Sequence, residues 1–148
     1  MGNLHAFEMG ANVVTSYKNK QFCAMTCAWA MMVDYDKILM LLGAQSDTAK
    51  QIAKGDLVGV SALSSGQGLI ANHFGSEHSL SFPKFNQHYL EKLDDVYVVK
   101  EAKVKMVCEV LDIIHLPGIE EDNLVYFKVK NFADDEAKSF LTYSELDK

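Results

Sequence analysis

NVVTSYKNKQFCAMTCAW, Asn12 to Trp29, is the stretch whose reading decides the fold. Asn12 to Tyr17 is a β-prone run, Lys18-Asn19-Lys20 is a polar break, and Gln21 to Trp29 is a second run. Asn and Lys clustered between two such runs signal a hairpin turn. The second strand is unusual, because Ala24, Thr26, Cys27 and Ala28 are too small to fill a core, yet it ends in the only Trp of the chain. Two readings stay open. The small side chains allow either a tight contact between sheets or a platform on which a large flat molecule lies, bonded by the strand's own N–H and C=O groups.

The rest of the chain is β-rich around this hairpin. Ala30 to Asp36 reads as a loop leaving the second strand, and Ile38 to Leu42 as a strand buried on both faces. Thr48-Ala49-Lys50-Gln51 has the capping-box form, with Ser46 able to cap one turn earlier and Gly55 as a C-terminal stop. Leu57 to Leu63 is a further strand, and Ser64-Ser65-Gly66-Gln67 is a second capping box leading into a helix over Leu69 to Phe74. Gly75 to Asn86 reads as a loop, and Tyr89 to Asp95 is too mixed to assign. Val96 to Val99, Ala102 to Ile114 and Leu124 to Phe132 read as strands, the last two alternating so that one face is wet. The tail from Ala133 to Lys148 is acidic and expected to be peripheral. About seven strands with two short helices predict one mainly β domain over residues 1–148, an antiparallel barrel or sandwich.

Composition narrows the function. A net charge of −6 argues against nucleic acid and against anionic membrane surfaces, which both require a basic face. No apolar run approaches the roughly 20 residues of a membrane helix. Cys23, Cys27 and Cys108 are an odd set with no CxxC pair, which predicts free thiols in a reducing cytoplasm. His73 and His78 fall on different faces of a helix, and no HExxH or GxSxG occurs, so neither a metal centre nor a nucleophile with its base is expected. Gly66-Gln67-Gly68-Leu69-Ile70-Ala71 fits GxGxxA, but polar loop follows where a dinucleotide fold needs a parallel strand and an acidic residue.

One polar cluster has a chemistry of its own. Ser46, Thr48 and Lys50 stand at a helix start directly after a buried strand, where free N–H groups and partial positive charge favour a phosphate. Ordinary capping beside a solvated lysine is the alternative reading of the same residues.

The hairpin resembles the opening of the flavin reductase-like family, whose pattern is a V-V-T strand, a turn, and N-A-M-T-x-S/A-W. Met25, Thr26, Cys27, Ala28 and Trp29 match, with Cys23 where Asn is usual. The resemblance runs to about Phe85 and, more weakly, to about Lys130. It implies a split β-barrel that binds FMN (FAD being possible), generally as a homodimer. It also implies that Ser46-Asp47-Thr48 matches the family's S-x-T phosphate loop, that Ser64 and Ser65 lie beside the flavin, and that D-K-F appears as Pro83-Lys84-Phe85. The function implied is NADH- or NADPH-dependent reduction of flavin or a small acceptor, the flavin carrying the electrons without a protein acid/base pair. A flavoredoxin-like carrier that exchanges electrons with a protein partner is the alternative. It is raised by Glu121-Asp122-Asn123-Leu124, where relatives using a nicotinamide donor often carry G-D-H.

Overall fold

The Asn12–Trp29 stretch forms the expected hairpin. β1 (Asn12–Lys18) pairs antiparallel with β2 (Gln21–Cys27) in unbroken register from Asn12↔Cys27 to Lys18↔Gln21. Asn19 and Lys20 both take positive φ, 54° and 64°, the conformation a two-residue turn needs to follow the strand twist. The computed structural model describes residues 2–75 and 85–146. Most of the loop expected over Gly75 to Asn86, including His78, Pro83 and Lys84, lies outside the described residues.

Beyond the hairpin come β3 (Ala30–Asp34), β4 (Lys37–Leu42), α1 (Asp47–Gln51), β5 (Leu57–Ala62) and α2 (Gly68–Gly75). β6 (Leu90–Leu93), β7 (Val96–Val99), β8 (Val104–Ile114), β9 (Asn123–Asp134) and α3 (Tyr143–Leu146) complete the described chain. Seven strands form one antiparallel sheet in the order β2-β1-β5-β8-β9-β4-β3, and β6 and β7 form a separate hairpin.

The sheet curls until β2 meets β4. Leu41 N donates to Trp29 O at 2.9 Å and Cys27 Sγ donates to Leu41 O at 3.3 Å, closing one end of a barrel. The barrel stays split along the rest of β2, where α1 fills the gap. Its interior is apolar, with Val14, Met40, Leu42, Val60, Cys108, Val125 and Phe127 facing Ala49 and Ile52 of the α1 segment. On the outer face, Val13 and Ala24 pack against Ala71 and Phe74 of α2, Val99 of β7, and Leu141 of the tail. Burial of these two clusters supplies most of the drive to fold, at roughly 25 cal/mol per Å² of apolar surface.

The β6–β7 hairpin is laid on the outer face by specific contacts. Thr15 Oγ1 donates to Tyr97 O at 2.5 Å, Val99 N donates to Ser61 Oγ at 2.9 Å, and β7 crosses β5 at Gly59. A Cβ at Gly59 would stand 1.8 Å from Tyr97 O, so no larger residue fits that crossing.

Several sequence expectations need correction. β2 ends at Cys27, and the expected loop Ala30 to Asp36 contains strand β3. β4 alternates between buried and half-buried residues, because one face looks into the barrel and the other does not. Nine strands are present among the described residues, since β6 occupies the unassigned segment Tyr89 to Asp95. The tail is not wholly peripheral: Leu141 is fully buried, donating its N–H to Leu63 O and accepting from Ala11 N. Among the described residues no helix is long and apolar enough to cross a membrane.

Candidate functional site

The period-2 alternation of β2 sends its side chains to two different neighbours. Cys23, Met25 and Cys27 face the barrel and α1, whereas Phe22, Ala24 and Thr26 face α2. Thr26 Oγ1 donates to Ala71 O at 2.6 Å, and the facing Gly75 leaves it room, since a Cβ there would come within 3.3 Å of the Thr26 Cβ. Cys27 Sγ is held by Leu41 O and Trp29 O. Burial pushes its thiol up to about 11 despite the opposing bond to the Trp29 carbonyl, so it stays protonated at neutral pH. Burial also raises Cys108 to about 12. Neither thiol is a nucleophile in this state. Ala28 and Trp29 lie at the bend from β2 into β3, and Trp29 is 59% exposed.

α1 is capped by Ser46, not by Thr48. Ser46 Oγ accepts from Ala49 N at 2.8 Å and donates to Met25 Sδ at 3.1 Å, which ties the helix start to β2. Thr48 lies inside the helix with 1% exposure, and its Oγ1 has no hydrogen-bond partner among the described residues. A buried hydroxyl without a partner costs about 1–3 kcal/mol, so it needs an explanation. Gln51, read as the reciprocal member of a box around Thr48, turns elsewhere. Its Nε2 donates to Ser16 O, Ser16 Oγ and Gln21 O, and its Oε1 accepts from Cys23 Sγ. Lys50 is exposed and, together with Asp47 and Gln51, lines a cleft of about 370 Å³ facing the β1–β2 turn.

The opposite side of α1 is pinned to β9. Asn123 Nδ2 donates to Ala49 O at 3.1 Å and Asp122 Oδ1 accepts from Ala44 N at 3.0 Å. Asn123, which stands where G-D-H has His, is therefore a brace for the helix, and Asp122 holds the loop before it. No local signal in the sequence points to these bonds or to the Gln51 hub, because each partner comes from a distant strand.

Met25, Cys27, Ser46 and Thr48 thus gather on the α1 side of β2, with Trp29 at its exposed end. Ser64 and Ser65 belong to the α2 side and are engaged by the protein itself. Ser64 Oγ donates to Glu101 O, while its N–H donates to Gln67 Oε1, half of the expected capping box. Ser65 Oγ and Gly66 N both donate to the Glu145 carboxylate of α3. Among the described residues no three His, Cys, Asp or Glu side chains could hold a metal ion.

A barrel split along one strand, plugged there by a short helix with a capped, hydroxyl-bearing start, is the split-barrel fold of flavin reductases. The sequence profile of the flavin reductase like domain matches residues 4–146, and the chain belongs to that family. Among solved structures it is similar to an NADH:FAD oxidoreductase of Streptomyces globisporus, with a TM-score of 0.80, 16% identity, and coverage of 95% of this chain and 83% of that one. A putative flavin reductase of Haemophilus somnus superposes with a TM-score of 0.81 at 18% identity, covering 94% and 88% of the two chains. A flavoredoxin of Methanosarcina acetivorans does so with 0.77 at 14% identity, covering 92% and 74%. No curated protein sequence matches. At these identities the superpositions speak for the fold alone.

Proposed function

We propose that the protein binds FMN on the α1 side of β2 and uses NADH or NADPH to reduce flavin or a small acceptor. The observation that carries this reading is the orphaned Thr48 hydroxyl one residue inside a helix start that also presents Ser46. A donor buried without a partner calls for one, and a ligand phosphate beside the helix start would supply it; threonine in a helix populates two χ1 wells, so this hydroxyl can turn. Thr48 would donate to the phosphate, joined by Ser46 once its hydroxyl turns from Met25 Sδ, with the ring along Met25 to Trp29, where Thr26, Cys27 and Ala28 are small and Trp29 is exposed. Bound flavin would supply the hydride chemistry, and the chain would supply orientation and exclusion of water.

We further propose a homodimer in a reducing cytoplasm. All five residues of the edge strand β3 are exposed, Met31 and Met32 at 60% each, and a bare apolar edge is the kind of surface that a second chain covers. All three cysteines are buried thiols outside any disulfide, which supports a reducing compartment.

The carrier reading has one specific observation in its favour. Asn123 spends its amide on Ala49 O, so the position expected to meet a nicotinamide is occupied with bracing α1. Anaerobic mixing of the FMN-loaded protein with NADH or NADPH separates the two. Bleaching of the flavin absorbance supports the reductase. Absence of bleaching with either nucleotide, while dithionite still bleaches, makes the protein a carrier.

A further inference from the structure

Trp29 stands at one end of an apolar row that crosses the sheet. Leu41 donates its N–H to Trp29 O at 2.9 Å, and in register Leu41 pairs with Leu124 and Leu124 with Ile114. Their chain neighbours Met40, Val125 and Ile113 belong to the barrel interior, so alternation turns Leu41, Leu124 and Ile114 to the outer face. At about 4.8 Å per strand, the row from Trp29 to Ile114 is roughly 14 Å long. It continues into the β8–β9 turn through Leu116 and Ile119, where Ile119 N donates to Leu116 O at 3.1 Å. Ile114, Leu116 and Ile119 are 37%, 37% and 39% exposed.

This tip is fixed beside the proposed flavin site. Asp122 Oδ1 accepts from Ala44 N and Asn123 Nδ2 donates to Ala49 O, on either side of Ser46 and Thr48. Its charge is of one sign. From Met106 to Phe127 there is neither Lys nor Arg, whereas Asp112, Glu120, Glu121 and Asp122 flank the apolar residues. None of these four acids forms an ion pair among the described residues, and Glu109, the remaining acid of the stretch, pairs with Lys130.

Exposed apolar side chains inside a charged rim have the anatomy of a protein contact. The acids exclude a nucleic acid or an anionic membrane, which need a basic face. A second copy meeting the tip about a two-fold axis would set the four acids against their equals. A basic face on a different protein fits.

We propose that the β8–β9 tip, with the row leading to Trp29, is the docking surface for a basic protein that accepts electrons from the flavin. The proposal rests on the flavin reading above, in its carrier form, and names the chemistry of the partner. A partner with a one-electron metal centre takes one electron, so one fully reduced flavin serves two partners in turn and releases its two protons to water.

The test is calorimetric titration of the flavin-free protein with ferric cytochrome c, a basic one-electron acceptor. Wild type is compared with Glu120→Lys/Glu121→Lys, with Ile119→Ser, and with Glu136→Lys, which lies beyond the opposite end of β9. Wild type is expected to bind saturably at one cytochrome per chain. Binding should weaken about tenfold as ionic strength rises from about 0.01 M to about 0.15 M and the screening length falls from about 30 Å to about 8 Å. The double reversal should weaken it about tenfold or more, the scale of two exposed charge pairs reversed. Ile119→Ser should weaken it about threefold to tenfold at either salt, and Glu136→Lys by less than about twofold. After dithionite reduction of the FMN-loaded proteins, haem reduction at low cytochrome concentration should slow in the tip variants by the same factors.

No saturable binding by wild type, or equal weakening by the tip and far-end reversals, would overturn the docking surface. So would a change of oligomeric state in the tip variants with cytochrome binding unaltered, because the occupant would then be a second copy. An unchanged rate of haem reduction in the tip variants would overturn the tip as the route of the electrons. FMN titration of the same proteins is read separately: failure of all of them to bind FMN would overturn the flavin reading, while the calorimetry still decides the surface.

Discussion

Replacing Thr48 with valine should push stability and ligand affinity in opposite directions. Thr48 is 1% exposed and its hydroxyl has no partner among the described residues. Valine keeps nearly the same shape and has similar helix propensity, so the substitution removes little but the unsatisfied group. Relief of that group is worth about 1–3 kcal/mol, and for a chain of this length each kcal/mol moves Tm by about 2–4 °C. The same change removes a hydrogen bond to the FMN phosphate. Such bonds to charged groups are worth about 1.5–3 kcal/mol, on the order of 10- to 150-fold in Kd. Riboflavin lacks the phosphate and should be nearly indifferent. Thermal melts of the ligand-free variant and fluorescence titrations with both flavins read the two effects separately. A ligand-free Tm lowered by several degrees would mean that the hydroxyl already has a partner within the fold. Unchanged FMN affinity, or equal losses for FMN and riboflavin, would remove Thr48 from the phosphate site.

Three further outcomes follow from other parts of the structure. Gly59→Ala should cost about 1–3 kcal/mol or more in urea unfolding, because its Cβ would meet Tyr97 O at 1.8 Å; an unchanged midpoint would mean that the β7 crossing is not close. Asn123→His should speed anaerobic flavin reduction by NADH or NADPH, because imidazole can carry a cation beside the nicotinamide; an unchanged rate in stopped flow would remove this position from the donor site. Stability should fall as pH rises above about 9, where unfolded thiols ionise while Cys27 and Cys108 stay protonated to about 11 and 12; if Cys108→Ala leaves the slope of stability against pH unchanged between pH 9 and 11, Cys108 is not one of its sources.

The fold was legible where side-chain periodicity and turn chemistry agree. The β1–β2 hairpin reads from alternation and from a turn that needs two left-handed residues, and the structure has both. β3 is hidden because none of its five residues is buried, so no inward alternation marks it; pairing with β4 alone holds it. β6 is four residues long and carries Glu91 and Lys92, too short and too polar for a pattern. In the tail, Leu141 is a single apolar residue whose partners, Ala11 and Leu63, lie far away in the chain.

The candidate site divides in the same way. The Met25–Trp29 segment and the Ser46–Thr48 helix start were legible as local motifs, and the Ser46–Met25 bond joins them. The capping box was misread because two overlapping patterns compete. Ser46 wins the cap since its oxygen reaches Ala49 N, and Gln51 is drawn away by Ser16, Gln21 and Cys23. Ser64 and Ser65 were read as open to a ligand, and their engagement by Glu101 and Glu145 depends on contacts that no local pattern encodes.

Fluorescence titration of the ligand-free protein with FMN tests the central claim most directly. Saturable quenching that ends at one FMN per chain is the result expected from the Ser46–Thr48 helix start set against the Met25–Trp29 segment. Quenching that rises without saturation, or no quenching at all, would contradict it.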